Sequence, residues 1–125
     1  IAAISLIVGG VVIMNTMIMA VAERTKEIGV LKAIGGTNHT IQAIFLTEAA
    51  LIGLIGGVIG IIVGAGLSTG GALLVGTLMD LEFHAVISPT LALMALGFSI
   101  VVGVLSGLIP AIIASKLDPV EAMRR

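Results

Sequence analysis

The sequence predicts an all-α membrane protein of three transmembrane helices, with an amphipathic cytoplasmic segment between the first and the second. Three observations predict it. The composition is 58% hydrophobic and only 10% charged, with a mean hydropathy of +1.29, whereas soluble domains carry roughly 25% charged residues. Three long runs, 1–22, 49–79 and 85–115, contain no charged residue. All six lysines and arginines lie in the segment between the first two runs or after the third.

Residues 1–22 meet the roughly 20 apolar residues needed to cross about 30 Å of hydrocarbon. The chain opens at Ile1 with no initiator Met and no basic stretch before the run. A signal peptide therefore fits poorly, and the sequence reads as the C-terminal portion of a longer protein. Asn15 within this span is expected to donate an interhelical hydrogen bond.

The next segment, 23–47, concentrates charge. Glu23, Arg24, Lys26, Glu27 and Lys32 fall within ten positions. Glu23 with Lys26, and Arg24 with Glu27, are opposite charges three apart on a helix surface. Ile28, Leu31 and Ile34 recur at three-residue spacing and form an apolar stripe beside them. Gly35 and Gly36 supply a stop, and Thr37 a cap for the following helix. The first span thus continues as an amphipathic helix, turns at the double glycine and re-enters through "TNHTIQAIFLTEA". The simpler alternative is a solvated loop whose charges only anchor orientation. Gly29 costs a helix about 1 kcal/mol relative to Ala.

The second and third runs are each 31 residues long, too long for one straight crossing and too short for two with a turn. Each is read as one helix with an irregular end, giving spans at about 49–70 and 89–115. The first is expected to lose helicity near Gly70 and Gly71, leaving an outside loop over 71–88; a re-entrant hairpin within 49–79 is the alternative. Ser88 reads as an N-cap with Pro89 at the first helical position. Pro110 removes the bond to the Ser106 carbonyl and should kink the third span. In the tail, 116–125, Asp118, Pro119 and Glu121 read as N-cap, first helical residue and N3 acid of a short helix.

Orientation follows from the basic residues. Arg24, Lys26 and Lys32 flank one end of the spans together with Lys116, Arg124 and Arg125, while the loop "DLEFH" carries Asp80 and Glu82 and no basic residue. Basic loops stay cytoplasmic, so the N-terminus of the first span lies outside and the C-terminus inside. His39 and His84 then fall on opposite sides, which excludes a joint metal site. Glu48 falls at the inner interface, where a buried functional carboxylate is the less ordinary reading.

Glycines four apart, Gly53/Gly57, Gly56/Gly60, Gly60/Gly64 and Gly66/Gly70, with Gly103/Gly107 in the last span, read as faces for close helix packing. Several functions are excluded. The chain has no cysteine, hence no disulfide or thiolate metal site. A net charge of −1 and no basic stripe give no nucleic-acid partner. No phosphate-cradling G-x-x-x-x-G-K-[ST] motif occurs, and no catalytic constellation is present, so the chain is not itself an enzyme.

"NTMIMAVAERTKEIGVLKAIGG", "FLTEAALIGLIGGVIGIIVG" and "IPAIIASKLDPVEAMRR" resemble, in this order, the C-terminal membrane part of FtsX-like and MacB-type ABC-transporter permeases. The resemblance runs from Asn15 to Arg125, and the E-R-T-[KR]-E-I-G core is its specific part. It implies four spans, of which this chain would hold the last three, with a large extracytoplasmic domain between the first and second. It also implies a separate cytoplasmic ATPase that carries ATP and Mg, a permease homodimer, and a surrounding lipid bilayer. By this resemblance Glu23, Arg24, Thr25, Lys26, Glu27, Ile28, Gly29, Leu31, Ile34 and Gly35 form the coupling surface against the ATPase. Gly53, Gly56, Gly57, Gly60, Gly64, Gly103 and Gly107 remain packing positions. The expected function is a permease coupling ATP hydrolysis to export or extraction of a substrate, or to movement of an extracytoplasmic domain. The alternatives are an FtsX-type regulator of a wall enzyme that transports nothing, and an ion-coupled carrier or pore. The last class usually places ionisable groups at the membrane midplane, and apart from Glu48 near one edge the spans have none.

Overall fold

The computed structural model describes residues 1–79, 88–118, 120 and 122. They form α1 (Ala2–Glu23), α2 (Thr25–Ala33), α3 (Asn38–Met79) and α4 (Pro89–Ser115), with no strand among the described residues. α1, α3 and α4 are long and apolar enough to cross a membrane. The 22 residues of α1 extend about 33 Å at 1.5 Å per residue, close to the hydrocarbon thickness. Much of its surface is exposed Ile, Leu and Val, including Ile4, Ile7, Val8 and Val12. Such a surface is stable in lipid and aggregation-prone in water.

The amphipathic extension of α1 is jointed. Arg24 leaves helical geometry at φ −96° and ψ 16°, although its N–H still reaches the Ala20 carbonyl at 3.0 Å and its own carbonyl accepts from Ile28 at 3.0 Å. The Thr25 hydroxyl donates to the carbonyls of Val21 and Ala22 at 3.0 and 2.9 Å. α2 stops where the double glycine predicts. Gly35 takes φ +102°, Gly36 N–H bonds the Leu31 carbonyl at 2.9 Å, and Gly35 N–H bonds the Lys32 carbonyl at 3.1 Å, the two bonds of a Schellman cap. A Cβ on Gly36 would lie 2.6 Å from the Leu31 oxygen, so both glycines are needed. Thr37 then caps α3, its hydroxyl accepting from Thr40 N–H at 3.2 Å.

α3 departs from expectation. It runs unbroken for 42 residues, through Gly70 and Gly71, and no re-entrant hairpin forms. A glycine costs a helix about 1 kcal/mol. That cost does not end a helix whose hydrogen-bond ladder continues on both sides of the pair. Thr69 adds support by donating to the carbonyls of Ala65 and Gly66. Non-helical chain after α3 therefore begins no earlier than residue 80. Asp80, Glu82 and His84 lie outside the described residues, as do Pro119, Glu121, Arg124 and Arg125. α4 starts at Pro89 behind Ser88 and continues through a buried Pro110 to Ser115. In the tail, Asp118 Oδ1 accepts from Val120 N–H at 2.8 Å.

α3 and α4 form the main antiparallel pair, with α1 resting chiefly on α4. Their seam is a close backbone approach. A Cβ on Gly53 would meet the Ser99 carbonyl at 2.7 Å, and one on Gly103 the Ala49 carbonyl at 2.6 Å. Ser99 Oγ crosses this seam to donate to the Gly53 carbonyl at 2.7 Å. The buried core lies at the α2 end of the bundle, where Met17 and Val21 of α1, Ile28 of α2, Ile41, Phe45 and Ala49 of α3, and Ala111 and Ala114 of α4 meet. At the far end the helices separate around a cavity of about 580 Å³.

Gly103→Ala is expected to destabilise the detergent-solubilised protein by roughly 1–3 kcal/mol through overpacking. Gly64→Ala, where a Cβ meets nothing within 4 Å, should be neutral or stabilising by up to about 1 kcal/mol. Thermal unfolding of the two variants side by side checks the difference.

Candidate functional site

The residues singled out between the first two spans sit on a short helix whose two faces have separate tasks. Ile28 is 5% exposed and belongs to the chain's own core, Leu31 packs against that core, and Gly29 is buried. Ile28 and Gly29 face inward, and the half-buried Leu31 lies at the boundary between the two faces. Lys26, Glu27, Val30 and Ile34 face outward, with Val30 51% and Ile34 77% exposed. Their spacing keeps them on one side of a 3.6-residue helix, and the exposed Glu23 precedes them at the end of α1. Between Lys26, Glu27, Val30, Leu31 and Ile34 lies a shallow apolar groove of about 350 Å³. The apolar stripe read from the sequence is thus divided. Ile34 remains outside, Ile28 turns in, Leu31 lies at the boundary, and Val30, which the three-residue spacing missed, joins the outer face.

Arg24 is engaged within the chain. Its Nη1 lies 3.4 Å from Glu48 Oε2 of α3, with side chains 51% and 35% exposed. At that exposure the pair contributes only about 0–1 kcal/mol. It orients the joint between α1 and α2 rather than holding it. Thr25 is spent on α1 carbonyls, and Gly35 forms the corner. Glu48 is therefore half-buried and paired, at the edge of the apolar stretch of α3.

Lys32 is the side chain that sequence reasoning left without a role beyond its charge. Its Nζ donates to the Ser115 carbonyl at 2.7 Å and to the Leu117 carbonyl at 2.8 Å. Those carbonyls belong to the C-terminal end of α4, where the last turn has no intrahelical donors and the helix dipole favours a cation. Ser115, 1% exposed, donates its hydroxyl to the Ile112 carbonyl at 2.9 Å and accepts from Gln42 Nε2 of α3 at 3.0 Å. α2, α3 and α4 thereby meet at one polar cluster. A signal was available: Lys32 lies four residues after Ile28 and next to Leu31, on the side that turns inward.

The packing glycines divide as well. Gly53, Gly57, Gly103 and Gly107 lie at the α3–α4 seam, whereas a Cβ on Gly56, Gly60 or Gly64 would meet nothing within 4 Å. These three line the cavity at the far end together with Gly9, Ser5 and Phe98. Asn15 is exposed on α1, with no side-chain hydrogen bond among the described residues. No group of three or more potential metal ligands occurs among the described residues.

Comparison with known proteins finds relatives along the whole chain. Residues 1–119 match the family described as FtsX-like permease C-terminal. The macrolide export ATP-binding/permease protein MacB of Nitrobacter winogradskyi is 46% identical over 125 residues, all of this chain but 18% of its own length. MacB of Agrobacterium fabrum is 42% identical over 125 residues, with the same coverage of 100% and 18%. The ABC transporter permease YknZ of Bacillus subtilis is 44% identical over 124 residues, 99% of this chain and 30% of that protein. The chain thus spans less than a third of the length of these relatives.

The two faces of α2 can be told apart chemically, since the chain has no cysteine. A cysteine at Ile34 should react with a soluble maleimide at least roughly tenfold faster than one at Ile28, because the buried site reacts only when the core opens. Equal rates would show that α2 does not pack as described.

Proposed function

The chain belongs to the FtsX-like permease C-terminal family, and on that premise we propose how its three helices work in an ABC-transporter permease. A separate cytoplasmic ATPase carries ATP and Mg, and its hydrolysis is coupled through α2 to the membrane helices. The output is export or extraction of a substrate, or movement of an extracytoplasmic domain. Catalysis belongs to the partner, and this chain converts its motion.

One observation carries this reading. The end of α1 and the outward face of α2 present Glu23, Lys26 and Glu27 beside exposed Val30 and Ile34, at one end of a bundle whose other surfaces are largely apolar. Charges of both signs set the register of a soluble partner more than its affinity, and a shallow apolar groove between them accepts a side chain at helical spacing. The basic residues of this segment and of the tail favour the cytoplasmic side for that end. The N-terminus of α1 then lies outside.

A second protomer is assigned to the exposed face of α1. Asn15 lies near the middle of that helix, on a surface with Val8, Val12 and Met19. An amide without a partner is costly in hydrocarbon. A carboxamide carries donors and an acceptor together, so across a two-fold axis it pairs with its own copy. Such pairs are worth about 0.6–2 kcal/mol in bilayers. Lipid covers the remaining apolar surface.

Replacing Glu23 and Glu27 together by lysine in the full permease is expected to abolish stimulation of the ATPase while membrane insertion stays normal. Undiminished stimulation would remove α2 from the contact. For the protomer contact, Asn15→Cys should form a disulfide-linked dimer on mild oxidation, whereas Leu91→Cys at the far end of α4 should not. The reverse pattern would move the interface away from α1.

A further inference from the structure

We infer that Lys32 is the positioning residue through which α2 moves the α3–α4 pair. This rests on the reading of α2 as the element that meets the ATPase. α2 has three connections to the rest of the bundle besides its packing. Toward α1 it is joined through Arg24, a single residue outside helical geometry. Toward α3 it is joined through Gly35 and Gly36, with Gly35 in the left-handed region. Both joints leave helical geometry, so neither carries the axis of α2 straight on into its neighbour.

The third connection is directional. The Lys32 ammonium sits between two carbonyls at the end of α4, at 2.7 and 2.8 Å. Apolar contacts such as those of Ile28 are non-directional and tolerate sliding, whereas charge-assisted hydrogen bonds hold donor and acceptor in one geometry. The acceptors also belong to a well-anchored site. Ser115 is buried, and its hydroxyl is held by Gln42 of α3 and bonded to the preceding turn of α4. From there the seam at Gly53, Ser99 and Gly103 joins α3 to α4. Displacement of α2 therefore reaches α3 and α4 together. Continuity with the first span alone would have sent it into α1.

The test uses the full permease with its ATPase in membranes, and a cysteine at Thr90 reports from the opposite end of α4. The reagent is a membrane-impermeant maleimide, and the quantity read is the ATP-dependent change in labelling rate. With Lys32 present the rate should change on adding ATP. Lys32→Met keeps the apolar stem and removes the donors. It should lose that change while the ATPase still co-purifies at the wild-type ratio and labelling without ATP is unaltered. Lys32→Arg, which retains donors and charge, should recover most of the change. If Lys32→Met fails to reach the membrane, Lys32→Gln against Lys32→Arg decides on the same readout, the amide being expected to lose most of the change. A persisting change in Lys32→Met would overturn the inference. So would loss of the ATPase from the complex, because Lys32 would then be a docking residue. An ATPase that binds the unaltered permease with no ATP-dependent change at Thr90 would overturn the inference and leave the docking reading standing. Failure of the ATPase to bind the unaltered permease would overturn both.

Discussion

A chain that crosses hydrocarbon must pair its backbone N–H and C=O groups within itself, and most of this structure follows from that requirement. It keeps the apolar stretches of α1, α3 and α4 in unbroken helix. It also confines departures from helical geometry to places with substitutes at hand. At Arg24 the Thr25 hydroxyl reaches back to two carbonyls, and at Gly35 and Gly36 the Schellman bonds satisfy the last turn of α2. At the end of α4 the N–H groups of Lys116 and Leu117 and the Ser115 hydroxyl serve the carbonyls of 112–114, and Lys32 reaches across from another helix to those of Ser115 and Leu117. The tie between α2 and α4 is, at root, the answer to orphaned carbonyls.

Packing adds a second constraint, because without water between them apolar helices gain little by mere burial. Close approach of backbones replaces it. The α3–α4 seam is built where Gly53 and Gly103 let carbonyls come within the space a Cβ would occupy. Where glycines face open space instead, at Gly56, Gly60 and Gly64, the helices separate and a cavity remains. The same residue type therefore marks both the tightest and the loosest parts of the bundle. The bundle behaves as a closely joined pair, α3 with α4, against which α1 rests more lightly. A short helix is jointed to α1, cornered to α3 and bonded to α4. That short helix is thereby tied to each of the three long ones.

Much of this was legible from residues alone. Charge-free runs located the three spans, because an unpaired charge in hydrocarbon is costly whatever the fold. Caps and corners followed from Gly35, Gly36, Thr37, Ser88, Pro89 and Asp118, whose effects are local to one turn. The ERTKEIG segment was recognisable as the candidate site because charge is scarce everywhere else. Two expectations failed for want of long-range information. Helix loss at Gly70 gave two glycines more weight than about 1 kcal/mol each carries. An outward stripe of Ile28, Leu31 and Ile34 assumed that apolar residues on a polar helix await a partner outside the chain.

By itself, the sequence determined what each short stretch could become: which runs lie in lipid, where helices start and stop, and where charge gathers. Those outcomes depend on residues within one turn of each other and on the solvent, so they need no knowledge of neighbours. Only the tertiary structure decided which side of α2 faces the bundle, which glycines meet a facing backbone and what Lys32 holds. Each of these is a contact between residues far apart in the chain, such as Lys32 with Ser115 or Gly53 with Ser99. Spacing along one helix is blind to such contacts because it is the same whichever neighbour that helix turns toward.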